Sequence, residues 1–186
     1  MLQMKSDHIV EILAVRGQQQ YDGESVSQPE HALQCAALAQ ADNASQELIT
    51  ACLLHDLGHL IDIGSDIETH SQLDRRHEYR GATLLQTLFS PAVTEPIRLH
   101  VGAKQYLCAV DPDYWKVLSP ASQHSLKQQG GIFSAEATQQ FIAQPFAQDA
   151  IKLRVWDDLA KVVGAQTPDF EDLITIVQNC VCLIDS

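Results

Sequence analysis

Apolar residues recur along this chain at intervals of three and four, and no stretch keeps the two-residue alternation of a half-buried strand. The pattern predicts an all-α protein. Ile9, Ile12 and Leu13 form a stripe over residues 8–15, with Ser6 or Asp7 as cap and Gly17 as stop. After a polar loop, Ser27-Gln-Pro29-Glu30 reads as a capping box with proline in the first turn, and opens a helix through Ala41. A further helix is expected over residues 45–57, with Gly58 letting the chain turn away. Residues 62–76 are polar and read as a surface loop. A helix beginning at His77 turns Ala82, Leu85 and Phe89 inward until Pro91 ends it, and Thr94-Glu-Pro96 starts the next. Ser119-Pro120 caps a short helix stopped by Gly130-Gly131, and Ser134 caps another. Residues 149–162 form a helix, and Thr167-Pro168 opens an amphipathic last one with Phe170, Leu173, Ile176 and Val177.

Length and charge bound what these helices build. A chain of 186 residues with no Pro/Gly/Ser-rich linker reads as one domain, residues 1–186. A formal charge of −12 argues against nucleic acid as a partner, because such a surface repels phosphate backbones. No apolar run approaches the roughly 20 residues of a membrane span, and the first residues lack a signal peptide's apolar core, so a cytoplasmic protein is expected. The five cysteines have no paired spacing, and Cys35 and Cys52 fall inside apolar helical patterns, as reduced thiols would.

Candidate chemistry centres on Ala51-Cys-Leu-Leu-His55-Asp56-Leu-Gly-His59-Leu60. Polar groups set among Leu53, Leu54, Leu57 and Leu60 cost on the order of several kcal/mol if unpaired. A bound metal ion satisfies them; a hydrogen-bonded His/Asp pair in a core is the alternative. Four more residues of ligand type stand at helix starts or on otherwise apolar helices: His31, His77, His100 and Asp157. Four imidazoles and two carboxylates exceed the needs of one ion, and two ions bridged by a carboxylate use them fully, with Asp56 as the expected bridge. His59 lies four residues after His55, Lys104 four after His100 and Arg154 three before Asp157, so each shares a face with a candidate ligand. In an acidic protein that convergence reads as a cradle for an oxyanion. The alternative is a solvated Lys104 and an Arg154 that pairs only with Asp157 or Asp158. Ser122 and Gln129 add neutral donors, whereas Ser119 is better explained as a helix cap. Glu24, if it faces such a cradle, needs a positive partner such as an ammonium.

The ordered set His31, His55-Asp56, His77, His100, Asp157 resembles the HD-domain superfamily, whose dinuclear members include phosphohydrolases and myo-inositol oxygenase. A closer resemblance is carried by Tyr21-Asp-Gly-Glu24, Gln28-Pro-Glu-His31, His55-Asp-Leu-Gly-His59, His100-Val-Gly-Ala-Lys104, Leu118-Ser-Pro-Ala-Ser122 with Gln129-Gly-Gly131, and Arg154-Val-Trp-Asp157. These blocks, spanning residues 21–157, look like the mixed-valent diiron organophosphonate oxygenases of the 2-amino-1-hydroxyethylphosphonate dioxygenase type. The resemblance implies two iron ions, Fe(II)/Fe(III), on the six ligands, with O2 as co-substrate. It also implies that Tyr21 gates the metals and Glu24 meets the substrate amine. His59, Lys104, Ser122, Gln129 and Arg154 are then the remaining substrate contacts, His59 and Lys104 serving catalysis as well. The implied reaction turns a small zwitterion, 1-hydroxy-2-(amino or trimethylammonio)ethylphosphonate, into phosphate plus glycine or glycine betaine. The donor set alone does not select iron over zinc, manganese or nickel. A dinuclear phosphohydrolase and a metal-binding module without turnover are the competing readings. Residues after 165 match none of these blocks and are expected to supply packing, as a helix over 167–179.

Overall fold

Serine caps decide where many of the helices begin. In the computed structural model, which describes residues 25–61 and 76–182, the Glu30 carboxylate accepts the Ser27 N–H at 2.7 Å while the Ser27 hydroxyl accepts the Glu30 N–H. That reciprocal box opens α1 (Gln28–Ala41). Ser45 caps α2 (Gln46–Leu54) in the same way, through the Leu48 N–H. A single turn, α3 (Leu57–Leu60), leads to the undescribed segment 62–75, and α4 (His77–Leu85) follows it. The long α5 (Pro91–Val110) is joined through a 3-10 turn (Tyr114–Lys116) to α6 (Pro120–Gln128), α7 (Ala135–Ile142), α8 (Ala147–Leu159) and α9 (Phe170–Asn179). Ser119 and Ser134 cap α6 and α7 by accepting the backbone N–H three residues on. The described residues form no strand, and Phe89 and Val181 make an isolated bridge.

Every residue from Leu48 to Leu54 is buried, so α2 is enclosed on all sides rather than amphipathic. α1, α5, α8 and α9 pack around it. Leu85, Val93, Ile97, Leu153, Trp156, Leu173 and Val177 close the same core, so α9 belongs to it through Leu173 and Val177. α5 also packs on α4, α7 and α8, and presents His100 and Lys104 to the interior.

Several helix ends differ from the sequence pattern. α2 stops at Leu54 rather than residue 57, and Gly58 lies inside α3 rather than at a turn. A Cβ at Gly58 would sit 2.0 Å from the His77 carbonyl oxygen, so the glycine is there for a backbone approach. Pro91 starts α5 behind Ser90 instead of ending the preceding helix, whose last regular residue is Leu85. Pro96 consequently falls within α5. The helix expected over 149–162 runs Ala147–Leu159, and the one expected over 167–179 begins at Phe170 behind Asp169. Gly130 and Gly131 do end α6 as expected, with φ of 106° and 79° that disfavour any other residue. The helix expected over residues 8–15, together with Tyr21 and Glu24, lies outside the described residues.

Candidate metal centre

Five separate elements deliver the six candidate donors to one place. His31 comes from the first turn of α1, His55 and Asp56 from the break between α2 and α3, and His77 from the first position of α4. His100 lies in mid α5 and Asp157 in the last turn of α8. All are buried, His31 and His55 completely.

Their orientation is set from behind. The Nδ1–H of His31 donates to the Ala160 carbonyl at 2.8 Å, that of His55 to the Cys52 carbonyl at 2.8 Å, and that of His100 to the Ile97 carbonyl at 2.7 Å. A carbonyl only accepts, so in these three rings the proton sits on Nδ1 and Nε2 presents a lone pair inward. His31 Nε2 and His55 Nε2 are 3.3 Å apart. Asp56 Oδ2 lies 3.5 Å from His55 Nε2 and 3.9 Å from His31 Nε2, and Asp157 Oδ1 lies 3.3 Å from His31 Nε2. Both of those oxygens are buried and, among the described residues, accept no hydrogen bond. Two imidazole nitrogens and two carboxylate oxygens therefore converge, and a cation between them would offset the cost of burying the oxygens. Burial opposes charge on His31, yet Asp157 and Asp56 raise its pKa, which shows how strongly this corner draws positive charge.

The other oxygen of Asp56 faces a second group. Asp56 Oδ1 is 3.5 Å from His77 Nε2, 3.9 Å from His100 Nε2 and 3.8 Å from His59 Nε2, while His77 Nε2 and His100 Nε2 are 3.0 Å apart. His59 stacks on His77 with ring centroids 3.9 Å apart. Two ligand-type clusters result, His31/His55/Asp157 and Asp56/His59/His77, with His100 beside the second, and Asp56 spans them. Burial alone would raise the Asp56 carboxyl, but the imidazoles of His55, His59 and His77 outweigh it and hold the group well below the usual carboxylate range. His100 is pushed down to about 3, by burial and then by His55, so it stays neutral as a ligand must.

Beside the first cluster lies a knot of cations and hydroxyls. Lys104, one turn after His100, is buried and donates to Ser125 Oγ at 2.7 Å. Burial first, and Arg154 next, push its pKa down to about 7. Arg154 pairs with Asp157 at 2.8 Å, grips both oxygens of Asp158, and reaches the buried Ser122 hydroxyl at 3.3 Å. Most of its guanidinium is thus engaged by its own helix. Tyr114 donates to Asp158 at 2.7 Å and completes that pairing. Gln129 caps the end of α6, its carbonyl accepting from Gln105 at 2.8 Å and its side-chain oxygen buried without a partner among the described residues.

Three residues near the cluster escaped the sequence pattern. Ser125 stands three positions after Ser122, on the same face of α6. Gln34, one turn after His31, donates to the Val162 carbonyl and accepts the Val162 N–H, each at 3.0 Å. Lys161 donates to Ser122 Oγ at 3.0 Å and to Ser119 Oγ at 3.4 Å. Helical spacing could not have found it, because α8 ends at Leu159 and Lys161 lies beyond it.

Residues 30–186 match the HD domain family. The chain is similar to a protein of Gimesia maris named hydroxymethylphosphonate dioxygenase, 47% identical over 93% of this chain and 86% of that one. It is 39% identical to the [1-hydroxy-2-(trimethylamino)ethyl]phosphonate dioxygenase (glycine-betaine-forming) of Leisingera caerulea, over 89% of this chain and 85% of that protein. An uncharacterized protein of Acanthamoeba polyphaga mimivirus is 34% identical over 84% of this chain and 72% of its own length.

Proposed function

The chain belongs to the HD-domain family and, within it, to the phosphonate dioxygenases, and from that membership we propose that it breaks the carbon–phosphorus bond of a small 1-hydroxyalkylphosphonate with O2 and two iron ions. The observation that carries the metal part of this reading is Asp56, whose two oxygens face two separate groups of inward-pointing imidazoles. One ion is assigned to His31, His55, Asp56 and Asp157, and the other to Asp56, His77 and His100. The donor chemistry fits, because Asp56 Oδ2 and Asp157 Oδ1 are buried without a hydrogen bond among the described residues and the Nδ1 atoms of His31, His55 and His100 are already committed. When bound, the irons supply the electron transfer to O2 that the protein's own side chains lack.

The chain's residues provide the rest. Lys104, Ser122 and Ser125 offer a cation and hydroxyls to the phosphonate, and Arg154 holds Asp157 in place while keeping one edge on Ser122. His59, half-buried beside Asp56 and His77, is assigned to the C1 oxygen or its proton. The overall change balances as hydroxyalkylphosphonate dianion plus O2 giving carboxylate, hydrogen phosphate and one proton, both atoms of O2 appearing in the products. Hydroxymethylphosphonate would give formate; the 2-amino and 2-trimethylammonio compounds would give glycine and glycine betaine. The hydroxyl and phosphonate are common to all three, and Glu24 is assigned to the ammonium of the latter two.

Iron-loaded protein prepared anaerobically tests the reading. Phosphate should appear only on admitting O2, with one carboxylate formed per phosphate. Release that ignores O2 would instead mark a hydrolase. Glu24→Ala should lose more kcat/KM on the two cationic substrates than on hydroxymethylphosphonate, and equal losses would remove the ammonium assignment.

A further inference from the structure

We propose that Lys161 is a substrate-binding residue, the cation that completes recognition of the phosphonate dianion. The inference rests on the phosphonate reading and adds a residue to it. A dianion needs two positive partners, and Arg154 is a poor candidate for the second, because Asp157 and Asp158 already neutralise it from its own helix. Lys104 supplies one charge through the Ser125 side of the knot. On the Ser122 side, the lysine whose Nζ lies against that buried hydroxyl, 3.0 Å away, is Lys161. The two lysines are near enough that Lys161 lowers the pKa of Lys104, so the same small volume feels both.

The backbone around Lys161 is fixed in a way that a solvated lysine would not require. On one side, the Ala160 carbonyl accepts the Nδ1–H of His31. On the other, Val162 is gripped by both polar atoms of the Gln34 amide. His31 and Gln34 lie on one face of α1, so a single helix holds a candidate metal ligand and the chain on either side of Lys161. Lys161 also follows the C-terminus of α8, where the helix dipole favours a cation. Two anchored neighbours fix where the side chain leaves the backbone, and its Nζ lies against Ser122 and Ser119, which lowers the ordering cost of binding an anion there.

Titration calorimetry of the iron-loaded protein with inorganic phosphate, beside steady-state kinetics on hydroxymethylphosphonate, tests the assignment. Lys161→Gln, which retains a hydrogen-bonding end without the charge, should weaken phosphate binding and raise KM about tenfold, with kcat and iron content held near wild type. Lys161→Arg should restore most of the loss, and Lys161→Gln should show a shallower fall of phosphate affinity with salt. A Lys161→Gln protein that binds phosphate as tightly as wild type, with the same salt dependence, would overturn the assignment and leave the phosphonate reading intact. Wild-type protein that neither binds phosphate nor turns over a phosphonate would overturn both.

Discussion

At the scale of single residues, the site is a contest between burial and pairing. The role of Asp56 follows from its position: it is adjacent to His55, stands outside both flanking helices, and turns one oxygen to each group of imidazoles. Asp56→Ala should therefore lower iron from two per chain to one or none, measured by elemental analysis, while far-ultraviolet circular dichroism keeps its helical form. Lys104 is a different case, because it carries a charge that burial opposes. Burial and Arg154 bring it down to about 7, so as pH rises through that value the free enzyme loses a positive partner for the phosphonate. The expected outcome is a fall in kcat/KM on the alkaline side for wild type that is absent in Lys104→Met. The substrate's own ionisation cancels in the ratio of the two profiles. At neutral pH, Lys104→Met should raise KM by about 10- to 100-fold, as expected for a lost hydrogen bond to a charged group worth about 1.5–3 kcal/mol. The ligand-type residues stood out in the sequence because each interrupts an apolar or capped stretch. Ser125 and Lys161 did not, since a serine within a helix and a lysine just past one are ordinary surface residues until the fold brings them to Ser122.

At the scale of elements, glycine placement decides whether α3 and α4 can meet. A Cβ on Gly58 would collide with the His77 carbonyl at 2.0 Å, and one on Gly81 would come within 3.3 Å of the Gly58 nitrogen. The obstacle at Gly58 is backbone, so no side-chain rotation relieves it. Gly58→Ala should cost at least about 2 kcal/mol in denaturant unfolding and displace His77, lowering iron content with it. Unchanged stability would contradict this contact. The all-helical class and the serine-capped starts of α1, α6 and α7 were legible, because a cap and a 3.6-residue period are local properties. The ends of α2 and α4 were not. α2 stops at Leu54 so that His55 and Asp56 can leave the helical register, a tertiary demand with no local signature. Pro91 is equally suited to follow a helix or to begin one, and its neighbours settle the choice only once α5 is packed.

At the scale of the whole molecule, a chain of formal charge −12 keeps two cations, Lys104 and Arg154, inside, where solvent and salt screen them least. The same enclosure ties the metals to the fold, because buried oxygens of Asp56 and Asp157 in the first cluster accept no hydrogen bond from the described residues. Stripping the metals with a chelator should lower the melting temperature by several degrees, and restoring iron should recover it; a chelator-insensitive transition would mean that the cluster is stable without ions. Among the described residues, no helix is long and apolar enough to cross a membrane. The central claim, two metal ions sharing Asp56, is tested most directly by the iron count together with electron paramagnetic resonance of partly reduced protein. Two irons per chain with the signal of an antiferromagnetically coupled Fe(II)/Fe(III) pair, lost in Asp56→Ala, is the expected result. One iron per chain, or two that remain magnetically independent in the wild type, would contradict it.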